Sequence, residues 1–218
     1  MHNLSLSRAP IRPTVRVPLT DDDALRIGDG DVVVRDGFLD PALGHAAREH
    51  LEAWYLQGRL TPAGIGRDGT PSQVRGDLTT WLEPEHPAPL GTLFERFDAL
   101  REELASHLRI GLHRFSVQAA RYGHGAGYER HVDAFKGDPS RIITAIAYLN
   151  ADWQPADGGQ LRAWTPRGVE ELGPVLGRLV VFRADAVPHE VLPTRAPRWA
   201  VTAWYRGAEP IPLLDDPE

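Results

Sequence analysis

Two short runs decide what this chain can be: Arg130-His-Val-Asp133 and Pro188-His-Glu-Val191, in which His189 lies 56 residues after Asp133. On extended backbone, residues two apart point to the same side, so His131 and Asp133 can converge on one ion. His189 lies too far along the chain to join them through local structure, and only a closed sheet would bring it back. The two runs therefore predict a closed β-structure with a metal site at its rim.

The donor set favours iron. Two imidazoles and one carboxylate, with coordination positions left open, are the arrangement of non-haem Fe(II) oxygenases. Zinc held by three protein ligands and a water is the alternative. His-x-Asp alone is a weak signal, because a chain with nine histidines matches it easily by accident. The chain has no cysteine, which excludes thiolate ligands, disulfides and thiolate catalysis.

Length and composition set further limits. At 218 residues the chain is long enough for one domain with a substantial core. The net charge of −6 gives no reason to expect a nucleic-acid partner. No run is apolar enough to span a bilayer, and residues 1–12 lack the apolar segment of a secretory signal. We therefore expect a cytoplasmic protein without a membrane partner, as a monomer or weak dimer.

Helices are expected in the first half of the chain. Residues 1–20 contain three prolines and predict a flexible N-terminal arm, followed by a single domain over residues 21–218. One helix begins at Asp40-Pro41 and ends near Gly58. After a long Gly- and Pro-rich loop over residues 59–76, a second helix runs from about Leu93 to a stop at Gly111.

Short strands are expected elsewhere. Alternating or β-branched runs predict strands at residues 31–35, 78–81, 113–122, 141–149, 160–164, 179–183, 189–192 and 198–205. Many short strands after two helices predict an α+β fold, mainly β, in which an antiparallel barrel or jelly roll carries supporting helices packed on one face.

The last of these strands carries a second candidate feature. Arg198-Trp-Ala-Val-Thr-Ala-Trp204 alternates, and its even positions place Arg198, Ala200, Thr202 and Trp204 on one face. An arginine beside a small residue leaves space for a dicarboxylate, which a guanidinium grips through two parallel hydrogen bonds. The alternative for Arg198 is a structural salt bridge with a buried carboxylate.

Further runs stand around these residues in a recognisable order. They are Arg75-Gly-Asp77 with Trp81, Tyr122, Gly125-Ala-Gly-Tyr128, Arg141-Ile-Ile-Thr144, Tyr148-Leu-Asn150, Asp152-Trp153, Gly158-Gly-Gln-Leu161-Arg162 and Arg178-Leu-Val-Val-Phe182. With the two metal-site runs and the Arg198 strand, this set resembles prolyl 4-hydroxylase-type Fe(II)/2-oxoglutarate dioxygenases. It is most similar to the hypoxia-inducible-factor prolyl hydroxylases and their bacterial counterparts that act on elongation factor Tu.

The resemblance implies a double-stranded β-helix (jelly roll) core and a role for each matching residue. It implies that His131, Asp133 and His189 hold Fe(II). Arg198 and the Tyr148 hydroxyl would bind the far carboxylate of 2-oxoglutarate. The remaining matches are expected beside the cosubstrate (Thr202 and Tyr122) or the substrate (Arg75, Asp77, Trp81, Tyr128, Arg141 and Trp204). O₂ is the second cosubstrate, and L-ascorbate is a candidate cofactor.

The implied reaction is hydroxylation of a proline in a protein substrate, plausibly elongation factor Tu, with release of succinate and CO₂. A dioxygenase acting on a free amino acid or another small molecule is the alternative within the class. A non-catalytic metal-binding or sensing barrel is the alternative outside it. The chain departs from the family pattern at Tyr122-Gly-His124, where Tyr-Pro-Gly is usual, and His124 is expected in an exposed turn. An oxygen-sensing role is also implied.

Overall fold

The computed structural model describes residues 19–65, 70–71, 75–134 and 140–208. The helices are α1 (Asp21–Gly28), α2 (Pro41–Leu56) and α3 (Leu90–Leu108). The strands are β1 (Val33–Arg35), β2 (Thr61–Pro62), β3 (Gly64–Ile65), β4 (Thr70–Pro71), β5 (Asp77–Leu82), β6 (Arg114–Tyr122), β7 (Tyr128–His131), β8 (Arg141–Tyr148), β9 (Leu161–Thr165), β10 (Gly168–Leu172), β11 (Leu179–Arg183), β12 (His189–Val191) and β13 (Arg198–Arg206).

Two antiparallel sheets form the body of the molecule. The major sheet has seven strands in the order β1-β11-β8-β13-β6-β5-β2, and the minor sheet has four in the order β10-β9-β12-β7. A buried cluster that includes Tyr148, Leu161, Phe182 and Val191 draws residues from both sheets. The sheets therefore pack face to face, which confirms the predicted jelly-roll core.

The helices cover the other face of the major sheet. A second and larger buried cluster joins residues of all three helices, such as Ile27, Leu51 and Leu100, to strand residues such as Trp199 and Val201. Strand β13 contributes to both cores, because its odd residues face the helices and its even residues face the minor sheet. The supporting helices thus lie on one face, as predicted.

All the predicted helices and strands are present, and the elements that were not predicted are α1, β7, β10 and the short strands β2, β3 and β4, which lie in the stretch 59–76 predicted as a loop. Helix α1 was not predicted, although Thr20 and Asp23 form a capping box at its start. Strands β7 and β10 were not predicted because they are largely exposed and lack an apolar alternation. Helix α3 ends at Arg109, which adopts the left-handed conformation (φ 54°) expected of a C-terminal glycine, and does not continue to Gly111.

The N-terminal arm is described only at its end. Residues 1–18 of the predicted arm lie outside the described residues. Leu19 is buried in the helix-covered core, and Thr20 caps α1, so these two residues belong to the folded body. Over the described part of the chain, no helix combines the length and apolar character that crossing a membrane requires.

Helix α2 allows a matched test of the helix-covered core. Leu51 is fully buried, whereas Leu56 at the end of the same helix is 78% exposed. Leu51→Ala is expected to lower the free energy of unfolding by about 2–5 kcal/mol, because it removes buried methyl groups and leaves a cavity. Leu56→Ala is expected to change it by less than about 0.5 kcal/mol. Urea denaturation followed by circular dichroism measures both, and equal losses would contradict this packing.

Candidate active site

A cavity of about 480 Å³ opens between the two sheets. Most of the residues singled out in the sequence line it: Arg75, Trp81, Tyr122, Tyr128, His131, Asp133, Arg141, His189, Arg198, Thr202 and Trp204. Asp77 and Tyr148 stand behind this lining, where each meets an arginine of the cavity wall. The fold thus gathers into one place residues that the sequence scatters over 130 positions, from 75 to 204.

Strand pairing creates the metal site. His131 ends β7 and His189 begins β12, and the two residues are directly opposite each other in the antiparallel pair. Asp133 follows His131 by two residues and points to the same centre. One ligand atom from each of these three residues lies within 4.8 Å of the other two. This donor set fits Fe(II), which His131, Asp133 and His189 would hold while leaving room for further ligands.

Backbone carbonyls set the orientation of both imidazoles. His131 Nδ1 lies 2.7 Å from the Glu129 carbonyl oxygen, and His189 Nδ1 lies 3.0 Å from that of Val187. Each Nδ1 donates to a carbonyl, so each ring keeps its proton there and presents Nε2 to the metal. Asp133 is fixed in the same way, because the buried Thr144 hydroxyl donates to its Oδ2 at 2.7 Å.

The triad is electrostatically suited to a cation. Burial acts to raise the pKa of Asp133, but the neighbouring His189 and His131 rings and the hydrogen bond from the Thr144 hydroxyl hold that pKa well below its ordinary value. Burial lowers the pKa of His189, against the opposing effect of the Asp133 carboxylate. An ionised carboxylate beside neutral imidazole is the protonation state that metal binding requires.

Arg198 is a buried charge in need of an anion. Its side chain is 3% exposed, and its Nε donates to the Gly159 carbonyl at 2.7 Å. Among the described residues no carboxylate lies within ion-pair distance of it, which removes the structural salt bridge as an explanation. Buried guanidinium groups are ordinarily paired, so this one is arranged for a ligand carboxylate.

Two tyrosines complete the carboxylate pocket. The guanidinium carbon of Arg198 lies 4.9 Å from the Tyr122 ring centroid and 5.1 Å from that of Tyr148. The Tyr148 hydroxyl is fully buried and has no hydrogen-bond partner within the described ranges. Burial raises the pKa of Tyr148, so its hydroxyl stays protonated and available as a donor. Thr202 lies on the same face, as predicted. These groups fit the distal carboxylate of 2-oxoglutarate.

Arg75 lines one side of the cavity and contacts Asp77 and Tyr128. Its guanidinium donates to both carboxylate oxygens of buried Asp77, at 2.7 and 2.5 Å, and lies 4.6 Å from the Tyr128 ring centroid. Burial acts to lower the pKa of Arg75, but the Asp77 carboxylate outweighs it and the net pKa is raised. Gly76 N–H donates to the Gly127 carbonyl at 3.1 Å. The segment before β5 is thus attached to the strand that carries His131.

The opposite rim is aromatic. Trp81 is 47% exposed and meets Trp204 edge to face, with 6.0 Å between ring centroids. Arg141 lies over the Trp204 ring at 4.5 Å and donates to the Asp133 backbone carbonyl at 3.2 Å. The buried indole N–H of Trp204 has no partner in the part of the chain described here. Trp81 is therefore a surface residue at the cavity mouth and not a core residue.

Sequence reasoning missed three supporting positions. Thr144 and Ile146 share the inward face of β8 with Tyr148, and this alternation was the available clue to Thr144. Gly159 belongs to the run Gly158-Gly-Gln-Leu161, and its role, accepting a hydrogen bond from Arg198, depends on a contact between residues distant in sequence. His124 lies in an exposed turn, as expected.

Comparison with known proteins agrees with this geometry. Residues 117–206 match the 2OG-Fe(II) oxygenase superfamily. Prolyl hydroxylase EGLN3 of Mus musculus is 35% identical over 189 residues, covering 80% of this chain and 77% of the relative. This chain belongs to the prolyl hydroxylases of the 2OG-Fe(II) oxygenase superfamily. Enzymes of this superfamily use Fe(II), 2-oxoglutarate and O₂, for which the His131–Asp133–His189 triad is suited.

Two further relatives define the extent of the match. A Pseudomonas putida prolyl-4-hydroxylase superposes with a TM-score of 0.78 at 34% identity, covering 85% of this chain and 97% of that one. Egl nine homolog 1 of Rattus norvegicus is 34% identical over 82% of this chain, which covers 56% of the relative. The chain therefore spans about half the length of that prolyl hydroxylase relative.

The carboxylate pocket can be tested at Gly159. A Cβ there would stand 2.9 Å from Arg198 Cδ, on a backbone with φ +73°. Gly159→Ala is therefore expected to displace Arg198 and weaken 2-oxoglutarate binding by about tenfold or more, measured by titration calorimetry on Mn(II)-loaded protein. Gly58→Ala is the control, because Gly58 has a similar φ of +70° and open space around it. Equal affinity in both variants would show that Gly159 does not shape the pocket.

Proposed function

We propose that this chain is an Fe(II)- and 2-oxoglutarate-dependent prolyl 4-hydroxylase that hydroxylates a proline of a protein substrate, with release of succinate and CO₂. One observation carries the proposal: the metal triad and an Arg198 without a carboxylate partner among the described residues open onto the same cavity. A non-catalytic metal-binding barrel has no use for that second feature.

The triad residues each have a defined task. His131, Asp133 and His189 would hold Fe(II), which when bound supplies the activation of O₂ and the oxidation of a C–H bond. The carbonyls of Glu129 and Val187 keep both imidazoles in the tautomer that presents Nε2. Hydroxylation also fits this donor set, because Asp133 would supply the carboxylate ligand that a halogenase lacks.

The cosubstrate pocket orients 2-oxoglutarate by its distal carboxylate. Arg198 would form a charge-assisted pair with that carboxylate, and the Tyr148 hydroxyl would donate to it. Thr202 lies four residues after Arg198 on the same face of β13, and Tyr122 closes the pocket beside Arg198. The cosubstrate would thus neutralise a buried charge, and its other end would reach the metal. Burial of these groups excludes water from the place where the oxidation occurs.

The mouth of the cavity suits a peptide better than a small molecule. The residues that line the cavity include Thr61 and Pro62, which are exposed, and the two indoles Trp81 and Trp204. A proline ring has no polar handle at its C4 position, so recognition must come from ring-shaped space and from contacts to flanking backbone. The Trp204 indole N–H and the Arg75 and Arg141 guanidinium groups are positioned for such contacts.

Several finer proposals follow from the resemblance and the matches. Elongation factor Tu is the first substrate to test, and an oxygen-sensing role is consistent with the similarity to Egl nine homolog 1. We also propose a single catalytic domain over residues 21–218 behind the arm of residues 1–20, a cytoplasmic location, and a monomer or weak dimer. L-Ascorbate would act by keeping the iron reduced.

Turnover with defined substrates tests the reaction. The Fe(II)-loaded protein is incubated in air with 2-oxoglutarate and, separately, with elongation factor Tu, with free proline and with no acceptor. We expect succinate formation to rise with elongation factor Tu and one of its prolines to gain the mass of one oxygen atom, located by peptide mass spectrometry. A rise with free proline alone would favour the small-molecule reaction. Succinate at background in every arm, in a protein that binds iron and 2-oxoglutarate, would refute the proposed activity.

Two substitutions separate the metal from the cosubstrate. His131→Ala removes a ligand and is expected to abolish Mn(II) binding, followed by electron paramagnetic resonance. Arg198→Ala is expected to leave Mn(II) binding intact and to lose roughly 2–5 kcal/mol of 2-oxoglutarate binding free energy, because the ligand carboxylate is left unpaired. Arg183→Ala, which breaks an exposed ion pair with Asp185, is the control and should change neither. Normal 2-oxoglutarate binding by Arg198→Ala would refute the pocket assignment.

A further inference from the structure

Asn150 stands just after β8 with a fully engaged side chain. It is 6% exposed, and its carboxamide makes four hydrogen bonds. Nδ2 donates to the carbonyls of Pro174 at 2.8 Å and Trp199 at 3.0 Å. Oδ1 accepts from the Trp199 backbone N–H at 2.8 Å and from Arg48 Nη1 at 3.2 Å. Both donors and both acceptor positions of the amide are thus used, which is the full capacity of this side chain.

Two of the four bonds go to Trp199, the residue that follows Arg198. Pairing between β8 and β13 ends at Tyr148 opposite Ala200, so Trp199 lies one residue beyond the regular ladder. The Leu149 N–H reaches the Trp199 carbonyl only at 3.4 Å. The Asn150 carboxamide therefore acts as a substitute peptide unit that extends the ladder by one residue, at the position next to the cosubstrate pocket.

Helix α2 also contacts Asn150 and Trp199. The Trp199 indole is fully buried and its Nε1 donates to Glu52 Oε2 at 2.7 Å. Glu52 Oε2 lies 3.7 Å from the Nε of Arg48, which is one turn earlier in α2. Arg48 also donates to the Leu149 carbonyl at 3.1 Å. Asn150 therefore contacts α2 through Arg48, and Trp199 contacts the same helix through Glu52.

The orientation of Arg198 depends on these contacts. Arg198 and Trp199 are consecutive residues of one strand, so a rotation of the Trp199 backbone also changes the direction of the Arg198 side chain. The Gly159 carbonyl holds only the Nε of Arg198, and within the described ranges no carboxylate holds the rest of its guanidinium. The Tyr122 and Tyr148 rings pack against the guanidinium, and the backbone on which Arg198 stands supplies a further constraint on its direction.

We propose that Asn150 is a positioning residue for the cosubstrate: by clamping both backbone groups of Trp199, it aims Arg198 at the distal carboxylate of 2-oxoglutarate. The inference rests on the proposed function, since it assigns that cosubstrate to the Arg198 pocket. It adds to that function a residue that lines no part of the cavity between the sheets and touches neither the metal ligands nor the Arg198 guanidinium.

The test measures how tightly the Mn(II)-loaded protein binds two metal chelators, 2-oxoglutarate and oxalate. Mn(II) allows binding to be measured without turnover. Asn150→Asp keeps the shape of the side chain but places an oxygen where Nδ2 donates to two carbonyls. We expect it to weaken 2-oxoglutarate binding by about tenfold to a hundredfold, because a displacement of about 1 Å in a positioning group has an effect of that order. Oxalate chelates the metal but has no distal carboxylate, so its affinity should stay within about twofold of the wild-type value. Titration calorimetry measures both affinities.

Tyr205→Phe is the matched control. Tyr205 lies on the same strand and the same face as Trp199, and its buried hydroxyl donates to the Phe97 carbonyl at 2.9 Å. The substitution removes a buried hydrogen bond far from Arg198, so it should lower the melting temperature and leave both affinities unchanged. Equal weakening of 2-oxoglutarate and oxalate by Asn150→Asp would show a general structural role and overturn the proposal, as would unchanged binding of both.

A second variant covers the case in which Asn150→Asp does not fold. Arg48→Met leaves Asn150 in place and removes the guanidinium that fixes its Oδ1, and it should weaken 2-oxoglutarate binding by about fivefold, the effect of one hydrogen bond. Oxalate binding by Arg48→Met should be unchanged, and an unchanged 2-oxoglutarate affinity would overturn the proposal. Wild-type protein that binds oxalate but not 2-oxoglutarate would refute the proposed function itself, a result distinct from failure of the positioning role.

Discussion

Antiparallel pairing of β13 with β6 on one side and β8 on the other is the constraint on which this structure depends. A strand in that position must present alternate residues to opposite faces, and both faces are buried. Trp199, Val201 and Tyr205 therefore enter the helix-covered core, while Arg198 and Thr202 enter the space between the sheets. One register thus determines both the stability of the helix layer and the composition of the cosubstrate pocket.

Asp133 and Arg198 are charged side chains that line the cavity between the sheets. Asp133 is ionised by its neighbours, and its partners are two histidines and a threonine, which leave it free to bind a cation. Arg198 is buried opposite two tyrosines with no carboxylate among the described residues to neutralise it. A negative and a positive group held apart in one cavity, each incomplete, are an arrangement that stabilises the fold less than paired groups would. The metal and the cosubstrate of the proposed reaction would supply the missing partner of each group.

Polar support around the site comes from outside the cavity. Thr144 fixes the carboxylate, two carbonyls fix the imidazoles, and the Gly159 carbonyl and the Asn150 carboxamide constrain Arg198 from either side. Such groups cost little conformational freedom once the sheets are formed, because their backbone is already ordered. The reactive groups themselves therefore need little reorganisation when cosubstrates bind.

The sequence by itself determined the donor set, the alternation that joins Arg198 to Thr202, most strands and two of the helices, because these properties depend on residue type and local spacing. The Thr20 capping box is likewise a local signal, and it indicates helix α1. Only the tertiary structure decided that His189 returns opposite His131, that Thr144 reaches Asp133, and that no described carboxylate meets Arg198. These contacts join residues distant in sequence, and their register follows from closure of the two sheets, which no local pattern encodes.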